Sequence, residues 1–302
     1  MNDLITSLND KQQEAALHKD GPLLVVAGAG SGKTKALTHR IAYLISGYGV
    51  NPSNILAVTF TNKAAMEMTN RISKLLTGAH ISALPTVGTF HSICVRLLRK
   101  HIHELDYENS FVIYDDTDQQ IVVKKIMKEM QIDDKKFNPR AILAGISNAK
   151  NKLIGPKEFS YQAMDYFSEK VSNIYSRYQE ELKKSNALDF DDLIMKVVEL
   201  FKAKPEILEF YREKFKYISV DEYQDTNYAQ YVLIRQLADK YRNLCVIGDS
   251  DQSIYSWRGA DMQNILDFEK DFPDCKVVLL EQNYRSTKNI LDAAHKIGRA
   301  HV

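Results

Sequence analysis

Ala27-Gly28-Ala29-Gly30-Ser31-Gly32-Lys33-Thr34 follows the apolar run Leu23-Leu24-Val25-Val26. The order is that of a buried strand entering a tight glycine-rich loop, which opens onto a helix from about Lys33. Such a loop turns successive backbone N–H groups inward around a polyphosphate, at the positive end of a helix dipole. Lys33 adds a point charge for the β- and γ-phosphates, and the Thr34 hydroxyl is a ligand for Mg²⁺. The strict pattern begins with glycine where this chain has Ala27. A glycine-rich turn with no phosphate role is the competing reading. The Gly-x-Gly-Lys-Thr core directly after an apolar strand favours a nucleoside triphosphate site, and leaves open what the hydrolysis drives.

At 302 residues, with 44% hydrophobic and 26% charged residues, the composition is that of an ordinary soluble globular protein. The 40 basic and 39 acidic side chains leave a net charge of +1, so global electrostatics neither favour nor exclude nucleic acid. Cys94, Cys245 and Cys275 are far apart with no Cys-x-x-Cys pair, which disfavours zinc, an iron–sulfur cluster and a disulfide framework. Met1-Asn2-Asp3-Leu4 shows no basic region leading into an apolar core, and no apolar run approaches the ~20 residues that span a bilayer. The expectation is a soluble cytoplasmic protein.

Short apolar runs alternate with helical patterns, the signature of an α/β fold with a parallel sheet flanked by helices. The expected strands are 23–27, 55–60, 86–89, 217–221, 244–248 and 276–280, with helices over 33–46, 62–76, 91–101 and 228–240. Between about 105 and 190 the rhythm stops, and 117–200 reads as successive helices broken at Asn138-Pro139 and Gly155-Pro156. This predicts an all-helical subdomain inserted into the sheet domain. Between Ile121 and Lys157 there are nine Lys/Arg against three acids, so the insert is locally basic. A solvated helix face and a nucleic-acid contact both fit that excess.

Tyr217-Ile218-Ser219-Val220-Asp221-Glu222 is an apolar strand ending in two carboxylates. In a nucleotide-hydrolysing fold, Asp221 holds Mg²⁺ and Glu222 orients and deprotonates the attacking water. The stretch 244–252 repeats the logic, with Gln252 in reach of a γ-phosphate, and Tyr255-Ser256-Trp257-Arg258-Gly259 follows. Trp257 is the only tryptophan, and its polar neighbours fit a base-stacking platform better than a core position. Phe60-Thr61-Asn62 and Thr89-Phe90-His91-Ser92 combine hydroxyl and amide groups, an aromatic ring and a helix start, which suits phosphate contact and stacking on bases. Helix capping by Thr61 or Asn62, and a structural His91, compete. In Gln282-Asn283-Tyr284-Arg285-Ser286, Arg285 fits a transferring phosphoryl group and Tyr284 an adenine, against a solvated arginine as the default.

Taken in order, these residues resemble the UvrD/Rep/PcrA family of superfamily-1 DNA helicases. Leu8-Asn9-Asp10-Lys11-Gln12 is similar to the family's adenine-reading motif, with Gln12 on the base; 27–34 resembles its Walker A loop, and Arg40 joins the nucleotide-binding set. Ala187-Leu188-Asp189-Phe190-Asp191-Asp192-Leu193 resembles the segment before re-entry into the motor, and 221–227 the Walker B segment. Gly248 to Asp261 is similar to the motif that couples Gln252 to Trp257. The resemblance implies a RecA-like P-loop motor domain over 1–108 and 196–282, with the DNA-contacting helical insert at 109–195 and the start of a second motor domain at 283–302. It implies ATP and Mg²⁺ as cofactors, and movement 3′ to 5′ on single-stranded DNA near junctions with duplex. Bases would pass over Phe60, Tyr255 and Trp257, and Thr61, Asn62, Thr89, His91 and Arg258 would complete the DNA-binding set. Accessory repair or replication proteins are compatible with it.

Family members continue into a second RecA-like domain carrying Thr-x-His-x-x-Lys-Gly and Thr-Arg-Ala motifs, neither of which is present here. The expectation is a truncated helicase whose last residues, Ile297-Gly298-Arg299-Ala300-His301-Val302, match a translated sequencing-adapter string. The alternative function is an ATP- and single-strand-binding module with inefficient turnover.

Overall fold

A computed structural model describes residues 3–77, 83–249, 263–287, 289–290 and 293. The chain runs α1 (Asp3–Thr6), α2 (Asp10–Leu17), β1 (Leu23–Ala27), α3 (Lys33–Ser46), β2 (Ile55–Thr59), α4 (Asn62–Leu75), β3 (Thr86–Thr89) and α5 (Phe90–His101). It continues through β4 (Val112–Ile113), α6 (Asp116–Glu129), α7 (Pro139–Asn151), α8 (Pro156–Gln162), α9 (Tyr166–Lys184), β5 (Ala187–Leu188) and α10 (Phe190–Ala203). The last described elements are α11 (Pro205–Lys214), β6 (Tyr217–Val220), α12 (Tyr228–Ala238), β7 (Leu244–Gly248), α13 (Gln263–Asp271) and β8 (Lys276–Leu280).

All six expected strands form one sheet in the order β3-β2-β6-β7-β1-β8, with every pairing parallel. Their near-continuous apolar runs follow from burial on both faces. Leu23, Val25, Ala27, Ile55 and Ala57 point to one side and pack with Leu37, Ile41 and Met68 of α3 and α4. Leu24, Leu56, Val58, Ile218 and Val246 point to the other, against Phe90, Leu97, Val197 and Leu233 of α5, α10 and α12. Because all strands are parallel, their carboxyl ends lie along one edge. The glycine-rich loop after β1, Asp221 after β6 and Asp249 after β7 are therefore brought together across long stretches of sequence, and Phe60 and Phe90 follow β2 and β3 on the same edge.

The interruption is helical as expected, and the prolines at 139 and 156 each start a helix at its first turn. Its core joins Val123, Ile126, Ile142, Ile146, Val171, Ile174, Tyr178 and Ala187. The strand pair β4–β5 closes its neck, with Val112 N–H donating to Asn186 O and Tyr114 N–H to Leu188 O. Ala187 is the last residue of this cluster, and Leu188 already packs in the core of the sheet domain. Leu193, Ile194 and Val197 of α10 belong to the core of the sheet domain. An apolar stripe on a helix does not say which of two adjacent cores it enters. Among the described residues no helix is long and apolar enough to cross a membrane.

Candidate functional site

The loop between β1 and α3 is shaped by two left-handed glycines, Gly30 at φ +73° and Gly32 at φ +84°, a region that costs other residues energy. Ser31 closes the turn, its hydroxyl donating to Gly28 O at 2.7 Å and its N–H to the same carbonyl at 3.2 Å. Gly32 is the N-cap of α3, so the Lys33 and Thr34 N–H groups stand at the positive end of a fourteen-residue helix.

Two segments distant in sequence brace this loop. On one side Gln12, fixed in a capping box with Asn9, donates its amide to Ser31 O at 2.9 Å. On the other, Asn283 donates to Ala29 O at 2.6 Å and Tyr284 N–H to Gly30 O at 2.9 Å. The Asn283 Oδ1 also accepts from Arg285 N–H and Ser286 N–H, each at 2.8 Å, an Asx turn that sets Arg285 over Gly30. A Cβ on Gly30 would lie 2.6 Å from the Arg285 Cβ. Tyr284 joins the two braces, because its hydroxyl accepts from the Asn9 amide at 2.6 Å and donates to Gln282 Oε1 at 2.9 Å.

Lys33 is 9% exposed, with Nζ 3.8 Å from Glu222 Oε2 and 3.6 Å from Asp249 Oδ2. Glu222 has a left-handed backbone at φ +51°, rare for a residue with a side chain. Gln224 spans the two strand ends, donating to Glu222 Oε2 at 2.9 Å and accepting from Asp249 N–H at 3.1 Å. Burial, and then the Glu222 carboxylate, push Asp221 up to about 7. The same two causes push Asp225 up to about 6, and its Oδ1 is buried without a hydrogen-bond partner. Four carboxylates around one lysine, one of them with an orphaned oxygen, make a site short of positive charge. No group of three acidic, His or Cys side chains among the described residues holds an ion by itself. That donor set fits Mg²⁺, which takes one or two carboxylates and completes its octahedron with water and phosphate oxygens.

Further along the same edge lies a groove of about 330 Å³ lined by Phe60, Asn62, Thr89, His91, Ser92, Val95, Ile113, Phe190 and Leu193. Phe60 meets Phe90 edge to face at 5.7 Å, and His91 meets Phe190 in the same way at 5.5 Å. Thr61 and Thr89 cap α4 and α5 through Ala64 N–H and Ser92 N–H, so the capping reading of these residues holds alongside the groove.

The structure thus brings together Ala27, Gly28, Ala29, Gly30, Ser31, Gly32, Lys33, Thr34, Gln12, Asp221, Glu222, Tyr284 and Arg285 in one region, and Phe60, Asn62, Thr89 and His91 in the groove. Arg40 is corrected. Its guanidinium is 2% exposed and donates to Ala15 O and Lys19 O at 3.4 and 3.3 Å, bracing α2 rather than offering a surface to a nucleotide. Gln12 is likewise 2% exposed with its amide engaged on the loop. Gln252, Tyr255, Trp257 and Arg258 lie outside the described residues. Of the nine basic residues in 121–157, Lys150 is buried on Asp189 and Asp192, and Lys125 is paired with Glu181. The other seven are exposed. Sequence reasoning missed Asp249, Phe190 and Asn283. Asp249 after an apolar strand and glycine repeated the Asp221 signal, and an Asn ahead of two polar residues is an Asx-turn signal.

Comparison with known proteins agrees with this geometry. The description "UvrD/REP helicase N-terminal domain" matches residues 8–273. The chain is 57% identical over 296 residues to an ATP-dependent DNA helicase PcrA of Bacillus subtilis (strain 168), covering 98% of this chain and 40% of that protein. It is 54% identical over 297 residues to proteins of the same name in Staphylococcus aureus (strain Mu50 / ATCC 700699) and Staphylococcus epidermidis, with the same coverages. The chain therefore spans about 40% of the length of the curated relatives it matches. With a nucleotide-type loop, paired carboxylates and an aromatic groove on one sheet edge, and with this match over most of its length, the chain belongs to the UvrD/REP helicase N-terminal domain family.

Proposed function

We propose that this chain carries the ATP-binding motor of an ATP-dependent DNA helicase that moves 3′ to 5′ along single-stranded DNA and works at junctions with duplex. The observation that carries this reading is the placement of two different sites on one carboxyl edge. A polyphosphate cradle lies beyond β1, β6 and β7, and an aromatic and hydroxyl groove beyond β2 and β3. The N–H groups of 28–34 hold the phosphates, and Lys33 neutralises the β- and γ-oxygens. Thr34 and Asp221 would hold Mg²⁺, which would offset charge on the phosphates. Glu222 orients the attacking water and takes its proton. Arg285, set over Gly30, stabilises the transferring group, while Tyr284 flanks the base and Gln12 keeps the loop in shape. Gln252 senses the γ-phosphate. In the groove, Phe60, His91 and Phe190 stack on bases, and Thr61, Asn62 and Thr89 contact the backbone, with Tyr255, Trp257 and Arg258 continuing the path. Cytoplasmic DNA repair or replication is the setting this reading implies.

The test is a crossed binding measurement with a fluorescent ATP analogue and a labelled oligothymidylate. Lys33→Ala should lose nucleotide binding and keep DNA binding. Phe190→Ala should weaken DNA by about 1–3 kcal/mol, the value of one stacked base, and leave nucleotide unchanged. A protein that binds neither ligand, or a variant of one site that abolishes both, would sink the assignment. Binding of both without DNA-stimulated hydrolysis would favour the binding-module reading.

A further inference from the structure

The last turn of α7 carries Ser147, Lys150 and Asn151 at helical spacing i, i+3 and i+4, which places all three on one face. Lys150 is 1% exposed, and its Nζ reaches Asp189 Oδ2 at 2.6 Å and Asp192 Oδ1 at 2.9 Å. Those carboxylates form the capping box of α10, whose first residue is Phe190 in the groove. Asn151 donates its amide to Ser147 Oγ at 3.3 Å, and its Oδ1 accepts from Asn227 Nδ2 at 2.7 Å. Asn227 is the N-cap of α12 and ends the segment that starts at Asp221 and Glu222. Between them lies only a short 3₁₀ turn, Tyr223–Asp225, in which Gln224 binds both Glu222 and the Asp249 backbone. One helix end of the insert therefore touches the carboxylate segment of the nucleotide site and the helix start that presents a groove aromatic.

We propose that the last turn of α7 is a strut coupling the nucleotide site to the DNA groove, with Asn151 as a positioning residue that transmits movement of the 221–227 segment. The proposal rests on the function given above. The carboxylate segment contains Glu222, whose left-handed backbone is strained, so a rearrangement when phosphate binds has a local driving force. Lys150 cannot be left behind by its carboxylates, because an unpaired buried charge is strongly unfavourable. Movement passed to α7 through Asn151 therefore reaches Phe190.

The experiment measures the affinity of the 302-residue protein for labelled oligothymidylate with and without a non-hydrolysable ATP analogue and Mg²⁺. For the unaltered protein the two affinities should differ by about fivefold or more, the lower end of ordinary allosteric coupling. Asn151→Ala, and Asn227→Ser, which keeps the α12 cap but is too short to reach Asn151, should bring the ratio close to one. Each ligand alone should still bind within about twofold of the unaltered protein. Asn151→Asp retains an acceptor and should retain the ratio. A merely structural role would lower the melting temperature or both affinities and leave the ratio unchanged. An unchanged ratio in Asn151→Ala, or a ratio of one in the unaltered protein with both ligands bound, overturns the strut. Failure of the unaltered protein to bind either ligand overturns the functional reading itself.

Discussion

Gly30 and Gly28 differ by two positions and by everything that decides what a methyl group does there. Gly30 has φ +73°, and an added Cβ would sit 2.6 Å from Arg285 Cβ and 2.9 Å from Asn283 Oδ1. Gly28 has no left-handed φ and nothing within 4 Å of such a Cβ. Gly30→Ala should therefore cost about 1–3 kcal/mol and loosen the Asn283 strap, while Gly28→Ala should stay within about 0.5 kcal/mol. Urea unfolding of the two variants checks this, and equal effects would contradict it. Asp191 offers a prediction in pH. Burial, and then the Asp189 charge, push its carboxyl from 3.8 up to about 6. The folded protein thus holds this proton more tightly than the unfolded chain. Its stabilising contribution is complete below pH 3.8 and is lost as pH rises through about 6. The stability of the unaltered protein relative to Asp191→Asn should fall across that window. A flat or rising difference would show that the carboxyl is not shifted as described.

At the scale of elements, α7 and α10 show how two cores are joined. Lys150, Asp189 and Asp192 sit between the helical unit and the sheet domain, and Tyr178 OH also donates to Asp189 Oδ2 at 3.0 Å. The loss of one partner from such a cluster strands buried charge. Lys150→Met should destabilise by about 3–5 kcal/mol in denaturant, and the triple variant with Asp189→Asn and Asp192→Asn should recover much of that. If Lys150→Met alone were neutral, the cluster would not be the joint between the cores. The sequence showed the nearest part of this only as a motif, Ala187-Leu188-Asp189-Phe190-Asp191-Asp192-Leu193. Lys150 was counted there as one of nine surface cations. Nothing local distinguishes a solvated lysine from one whose counter-charges arrive 39 and 42 residues later.

For the whole molecule, the proposed nucleotide site draws on α2, β1, α3, β6, β7 and 283–286, so a nucleotide should hold the sheet domain together as a unit. With Mg²⁺-ATP at a hundred times its dissociation constant, stability should rise by about 2.7 kcal/mol, seen as a higher melting temperature. Lys33→Ala should abolish the rise, and a persistent shift would place the ligand elsewhere. The fold class, the six strands and the helical interruption were all legible in the residues, because periodicity and glycine–proline punctuation act over a few neighbours. The candidates Lys33, Asp221, Glu222 and Arg285 could be named from the sequence too, since each stands at a strand end or loop whose local chemistry marks it. Tertiary structure alone decided that Arg40 and Gln12 face protein, that Asn283 straps the loop, and that α10 belongs to the sheet's core. It alone placed Lys150 and Asn151 between the starts of α10 and α12. Burial and partner choice depend on which distant segments a parallel sheet lays side by side. The octet 27–34 by itself determined a glycine-rich turn between strand and helix, and the parallel sheet's carboxyl edge decided what surrounds it.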